Sequence, residues 1–272
     1  MKSTRPPKGW LIDIEGVLVR DKAYRPVPGS VDWLNGLVKA GAPFCLVSNN
    51  TTHRPEELIA ALCAVGFDLK TENLVGALGL GIRWLRERNR ERIMWLGSAN
   101  LADYWTEEGF ELVRGGPCQA VVLGANTGLT TGDLDRALDP LLGQGADLVC
   151  LHRNLFFLDE EGKRRLGPGV WGAALEALGG AGTVVTVGKP SERIYHEALK
   201  RVGVEPAEAL FISDDPVADL VTAGKLGMQT AFVLSGKYAD HEVLGRLDQD
   251  QWPDIICGCP ADLARSIVDS ME

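Results

Sequence analysis

The chain has 272 residues, with 28 Lys+Arg against 37 Asp+Glu and a formal charge of −9 at pH 7. Hydrophobic residues make up 45% and charged residues 24%, a balance that excludes a disordered chain. The length fits one large domain or two modest ones, and the acidic balance argues against nucleic acid as the main partner, because a phosphate backbone calls for basic patches.

In chain order, the N-terminus MKSTRPPKGW is basic but has no apolar core, so it does not read as a signal peptide. The first apolar run is Trp10–Ile12, closed by Asp13. Val31 to Lys39 has a helical period, and Ala42 to Val47 reads as a strand. Pro55 to Val65 reads as a helix with Pro at its start and Gly66 after its end. Further strand-like runs are Arg92–Leu96, Ala120–Leu123, Asp147–Leu151, Thr183–Val187, Ala209–Ile212 and Thr230–Leu234, with helical stretches between most of them. Near-continuous apolar strands alternating with helices predict an α/β fold with a parallel sheet covered on both faces. No apolar run approaches the roughly 20 residues of a membrane span. The six cysteines are scattered, mostly in apolar runs, and read as reduced core thiols. Cys257-Gly258-Cys259 is too tight for the usual zinc spacing. Together these features predict a cytoplasmic protein with no membrane partner.

In open α/β sheets, ligands bind beyond the carboxyl ends of the strands. Those ends deliver Asp13-Ile14-Glu15-Gly16, then Ser48-Asn49-Asn50, then Gly188-Lys189-Pro190-Ser191, then Ser213-Asp214-Asp215 with Asp219 beyond. Acids, a hydroxyl and a cation form an inventory for phosphoryl transfer. A carboxylate can attack phosphorus to give an aspartyl-phosphate. A hard divalent cation held by carboxylates reduces the repulsion between the two anions, and Mg²⁺ suits oxygen ligands. Lys and Ser can hold the remaining phosphoryl oxygens, and a second carboxylate can move protons. A P-loop reading of Gly182 to Lys189 fails, because five residues rather than four separate Gly182 from Gly188, and Pro190 replaces the Ser/Thr. Asp215 reads equally as a helix cap. His53, His152, His196 and His241 show no ligand spacing.

These four segments resemble, in order, the four motifs of the haloacid dehalogenase (HAD) superfamily of phosphatases, over about Trp10 to Tyr238. About 140 residues separate Ser48 from Lys189, the placement of a C2-type cap in the p-nitrophenylphosphatase-like subfamily. Gly188 to Met228 and Leu234-Ser235-Gly236-Lys237-Tyr238 resemble the branch containing phospholysine/phosphohistidine/pyrophosphate phosphatases. The resemblance implies a Rossmann-like parallel-sheet core over 1–89 and 183–272, with an inserted α/β cap over 90–182. It implies Asp13 as nucleophile and Mg²⁺ ligand, the Glu15 carbonyl and Asp214 as further ligands, and Asp219 in support of the metal. It implies that Ser48, the Asn49 backbone N–H and Lys189 bind the phosphoryl group, with Lys189 also pairing with Asp13. In the cap, His152–Leu158 reads as one arm of a hairpin turning at Asp159–Gly162. The resemblance points the loop around Asn154 and the Gly167–Gly169 turn at the substrate. It also implies a small phosphorylated substrate and a homodimer through the cap.

The sequence departs from the family pattern twice. Glu15 stands where Asp is usual, so the acid/base side chain is one methylene longer; the resemblance to enolase-phosphatases, which carry Asp-Ile-Glu-Gly, keeps Glu15 as the catalytic acid/base. Ser213 stands where Gly is usual, and a mild effect is expected. The main reading is a Mg²⁺-dependent phosphatase of small phosphate monoesters or pyrophosphate. The alternatives are a catalytically weak HAD-like binding or regulatory protein, motivated by these two departures, and a HAD enzyme of another reaction type, such as a phosphoglucomutase.

Overall fold

The computed structural model describes residues 6–20, 23–158 and 163–263. The described residues form two compact units. One draws on the stretches Met1–Ser48, Leu58–Val75 and Glu192–Glu272; the other on Asn49–Glu57 and Gly76–Ser191. The insert expected over 90–182 lies within the second unit, which also takes in the helix Ala77–Glu87, the short segment that follows Ser48 and the stretch from 183 to Ser191.

The strands in chain order are β1 (Gly9–Ile12), β2 (Phe44–Ser48), β3 (Leu74–Gly76), β4 (Arg92–Leu96), β5 (Glu111–Leu112), β6 (Ala120–Leu123) and β7 (Asp147–Cys150). They continue with β8 (Phe156–Leu158), β9 (Arg164–Leu166), β10 (Val184–Thr186), β11 (Ala209–Ser213), β12 (Gln229–Val233) and β13 (Ile255–Cys257). In the first unit the sheet order is β13-β12-β11-β1-β2-β3. The pairings of β1 with β2 and β11, and of β12 with β11 and β13, are all parallel. The centre is β1, with Ile12 opposite Leu46 on one side and Ile212 on the other. Strands flanked on both sides and covered on both faces need continuous apolar sequence, and every residue of β11 is buried. The helix Ser30–Lys39 turns Leu34 inward and places Asp32 in its first turn and Lys39 in its last, matching the helix dipole. Its core partners include Ile14, Leu18, Leu46, Leu58 and Leu62.

The second unit has its own sheet, β10-β7-β6-β4-β5, with every pairing parallel. Its core gathers Met94, Val121, Leu123, Leu141, Leu148 and Leu175. Trp105 is fully buried and meets Trp95 at 5.3 Å and Phe110 at 5.2 Å between ring centroids. Strands β8 and β9 form the expected antiparallel hairpin, with Phe156 opposite Leu166; its turn at 159–162 lies outside the described residues.

One expectation is corrected. The sequence places the run Thr183–Val187 with the strands whose ends carry the other motifs, on one parallel rim. It forms β10, an edge strand paired to β7 in the second sheet. Three residues of strand, the first of them exposed, carry no signal for which sheet they join. Among the described residues, no helix is long and apolar enough to cross a membrane.

Candidate active site

In the first unit, β1 and β11 lie side by side in register from Gly9 opposite Ala209 to Ile12 opposite Ile212. The next residues, Asp13 and Ser213, are therefore neighbours, and the Asp13 N–H donates to the Ile212 carbonyl at 2.9 Å. Both side chains are buried. The Asp13 carboxylate accepts the Ile14 N–H at 2.8 Å. A tight turn follows, in which Leu18 N donates to Ile14 O at 2.9 Å and Gly16 N to Val19 O at 2.6 Å. Glu15 is half-buried in this turn.

The reason for Gly16 is visible at once. Its φ is +82°, and a Cβ there would lie 1.9 Å from Asp214 Oδ2. Only glycine allows that backbone and that approach together. Gly236, in the loop after β12, is crowded by the same carboxylate: a Cβ there would come 2.1 Å from Asp214 Oδ2 and 2.4 Å from Gly16 Cα. The loop is tied down by Ser235 Oγ donating to Gly16 O at 2.7 Å and by Lys237 N donating to Asp214 Oδ2 at 2.6 Å.

Asp215 faces a different partner from Asp214. It caps the helical turn Pro216–Leu220 by accepting the Ala218 N–H at 3.0 Å, and its other oxygen pairs with Lys237 Nζ at 2.6 Å. Burial acts against the Lys237 ammonium, but the charge and hydrogen bond of Asp215 outweigh it, with help from Tyr238 and Asp214, so its pKa rises above the ordinary value. Asp219 is 4% exposed and comes from the same helical turn. Tyr195 O–H donates to its main-chain carbonyl at 2.9 Å. Burial, followed by the charges of Asp219, Asp13 and Asp215, pushes the Tyr195 phenol well above its usual pKa.

Ser213 is the surprise. Its Oγ donates to Asp219 Oδ2 at 2.7 Å, lies 3.3 Å from Asp13 Oδ2 and accepts the Asp215 N–H at 3.1 Å. The residue expected to have a mild effect sits between two of the acids.

Ser48, buried at the end of β2, closes the first unit's set. In the second unit, Asn49 and Lys189 are locked together. Asn49 Oδ1 accepts the Lys189 N–H at 2.8 Å, and Asn49 Nδ2 donates to Lys189 O at 3.0 Å. The same amide donates to Asn154 Oδ1 at 3.0 Å. Asn154 is gripped in turn by the Gly167–Gly169 segment, where Gly169 N donates to its carbonyl at 3.1 Å and a Cβ on Gly167 would lie 2.1 Å from that oxygen. Lys189 is 2% exposed. Thr51, also buried, accepts the Ala125 N–H at 2.8 Å.

Of the residues expected from the sequence, Asp13, Glu15, Ser48, Asp214 and Asp219 lie in the first unit, and Asn49, Asn154 and Lys189 are brought together in the second. Lys237 and the side chain of Asn49 take part beyond those expectations, and the Ser235-Gly236-Lys237 run is the sequence signal for the first of them. Asp13, Asp214 and a main-chain carbonyl beside Gly16 are hard oxygen donors, and the glycine crowding brings the Asp214 carboxylate against that main chain. Among the described residues, no three His, Cys, Asp or Glu side chains cluster so as to hold a metal ion. A donor set of one or two carboxylates, main chain and water is what a small divalent cation such as Mg²⁺ uses.

A parallel α/β sheet with acids at the ends of β1 and β11 defines the class, a haloacid dehalogenase-like hydrolase. Residues 10–111 match the haloacid dehalogenase-like hydrolase family and residues 186–259 match the HAD-hydrolase-like family. The chain is 32% identical over 240 residues to human haloacid dehalogenase-like hydrolase domain-containing protein 2, covering 88% of both chains. It therefore belongs to this family of enzymes. Mouse chronophin is 29% identical, with 97% of this chain and 92% of that protein covered. The structure of p-nitrophenyl phosphatase from Archaeoglobus fulgidus is similar with a TM-score of 0.82 and 25% identity, over 96% of this chain and all of that one.

Proposed function

We propose that this hydrolase is a Mg²⁺-dependent phosphatase of small phosphate monoesters or pyrophosphate, working through an aspartyl-phosphate on Asp13. The observation that carries this reading is the set of buried acids in the first unit, where Asp13 and Asp219 flank the Ser213 hydroxyl and Asp214 lies against the Gly16 backbone. The similarity to the p-nitrophenyl phosphatase of Archaeoglobus fulgidus supports it.

One Asp13 oxygen attacks phosphorus while the bond to the leaving oxygen breaks. Glu15 gives that oxygen its proton. Glu15 then takes a proton from water, whose oxygen attacks the aspartyl-phosphate, and phosphate leaves as Asp13 is restored. Ser48, the Asn49 N–H and Lys189 hold the phosphoryl oxygens, where charge builds in the transition state. Mg²⁺, held by Asp13, the Glu15 carbonyl and Asp214 with Asp219 in support, would offset the repulsion between the carboxylate and the phosphoryl group. The insert over 90–182 would act as the cap, with Asn154 contributing to substrate choice, and would admit a small substrate. A homodimer through the cap and a cytoplasmic location complete the proposal.

The test is hydrolysis of p-nitrophenyl phosphate and pyrophosphate with and without Mg²⁺, with Asp13→Asn alongside. Metal-dependent release that the variant abolishes supports the reading. Undiminished release by Asp13→Asn overturns the nucleophile.

A further inference from the structure

We propose that Ser213 is a positioning residue that sets the Asp219 carboxylate, and through it the affinity of the acid cluster for its divalent cation. The inference rests on the proposed reading in taking Asp13 and Asp214 as ligands of that cation with Asp219 in support.

The geometry starts from strand register. Asp13 and Ser213 follow the last paired residues of two adjacent parallel strands, so their side chains leave the sheet together. The helical turn Pro216–Leu220 brings Asp219 back onto the same spot. Ser213 Oγ then lies between two buried carboxylates, 2.7 Å from Asp219 Oδ2 and 3.3 Å from Asp13 Oδ2. A serine hydroxyl has one proton to give. The shorter contact takes it, so the strong bond is to Asp219. The Asp215 N–H, 3.1 Å away, occupies a lone pair of the same oxygen and turns the proton toward the acids.

Two carboxylates in a buried space repel each other. A neutral donor between them offsets part of that repulsion and fixes the rotamer of the one it holds. A hydrogen bond to a charged acceptor is also stronger than one between neutral groups. Ser213 does not itself ligate the cation; it holds an acid that supports the ligands. Removing such an outer partner typically weakens metal affinity by about 10–100-fold. This is larger than the mild effect expected for a small residue at a strand end.

The experiment is calorimetric titration of the metal-free, full-length protein with MgCl₂ and no substrate, comparing wild type, Ser213→Ala, Ser213→Cys, Asp219→Asn and the Ser213→Ala/Asp219→Asn pair. Thermal unfolding of the metal-free variants checks that each is folded. The expected result is a Kd for Mg²⁺ raised about 10–100-fold by Ser213→Ala and less by Ser213→Cys, which keeps a weak donor. The double variant should bind within about threefold of Asp219→Asn, because residues acting through one contact are not additive. A folded Ser213→Ala with wild-type Mg²⁺ affinity overturns the inference and leaves the phosphatase reading standing. Effects of the two substitutions that multiply in full also overturn it. If Ser213→Ala does not fold, Ser213→Cys carries the same decision. Wild type that binds Mg²⁺ but hydrolyses neither test substrate counts against the phosphatase reading while leaving this inference intact. Wild type that binds no Mg²⁺ overturns both.

Discussion

The loops of the first unit and those of the second are built on opposite chemistry. After β1, β11 and β12, the first unit packs carboxylates against main chain so tightly that a Cβ at Gly16 or Gly236 would strike Asp214. The Asp215 charge is paired with Lys237, and the Ser213 hydroxyl donates to Asp219. In the second unit, Asn49, which follows β2 in sequence, is a neutral amide clamp: it holds both main-chain polar groups of Lys189 and reaches Asn154. Paired charges suit holding a cation and doing chemistry at an acid. Amide clamps suit fixing the position of one buried lysine and one loop without adding charge. The same parallel α/β plan thus carries a reactive end in one unit and a positioning end in the other.

The comparison breaks first at Asp13. Asp13→Asn should abolish turnover while leaving the melting temperature near wild type, because the amide keeps the size of the side chain; a variant with residual activity near wild type would show that the reactive end lies elsewhere. Glu15→Gln should lower kcat by roughly 10²–10⁴, the usual worth of acid–base help. An unchanged kcat in steady-state assays would assign the proton to solvent or substrate.

On the positioning side, Asn49→Ala should reduce kcat/KM on the order of 10–10²-fold, the scale on which a small misplacement of a binding group is felt. Its Mg²⁺ affinity should be unchanged, since the side chain removed bonds Lys189 and Asn154 and none of the acids proposed to hold the cation. A variant that lost cation binding instead would erase the distinction between the two ends. Gly236→Ala should cost about 1–3 kcal/mol, the usual penalty for forcing atoms into filled space, measured by urea unfolding. Wild-type stability there would mean that the loop after β12 is not pressed against Asp214.

The smallest effect is with pH. Burial raises the thiols of Cys45 and Cys257 to about 12 and that of Cys150 to about 11, from 9.0, against the weaker opposing charges of Arg201 at Cys45 and Arg153 at Cys150 and with the help of Asp262 at Cys257. Unfolded thiols ionise above pH 9 while the native ones stay protonated, so the native state holds more protons and stability falls as pH rises from 9 toward 12. Lys237 adds to this with the same sign, since its raised pKa keeps its pair with Asp215 until the ammonium is lost. Cys45, Cys257 and Lys237 are in the first unit, while Cys150 is in the second together with Cys118 and Tyr104, which burial raises as well, so the alkaline loss should fall on both. Urea midpoints that do not move over that range would contradict the assignment.

Much of the fold was legible locally. The runs read as strands at Arg92–Leu96 and Ala120–Leu123 are β4 and β6 residue for residue, because a buried parallel strand needs an unbroken apolar run. The helix read over Pro55 to Val65 is Pro55–Ala64, bounded by the proline and by Gly66. Strands β3, β5 and β13 were not read; β5 has only two residues and β13 alternates buried and exposed, so neither presents a run. The cap over Asp215 was one of two readings and is the one found.

The sequence by itself determined the chemistry: which acids, which lysine and which hydroxyl stand at strand ends, and in what order. Those follow from hydrophobic periodicity and residue type, which are local. Tertiary structure decided three further things. It put β10, and with it Lys189, in the second sheet; it turned Ser213 into the hinge of an acid pair; and it made the Asn49 side chain a clamp rather than a free amide. Each depends on a partner that strand pairing or loop closure brings near, 140 positions away between Asn49 and Lys189 and 200 between Asp13 and Ser213. Hydrogen bonds have directions and reach only about 3 Å, and neither can be read from spacing along a chain.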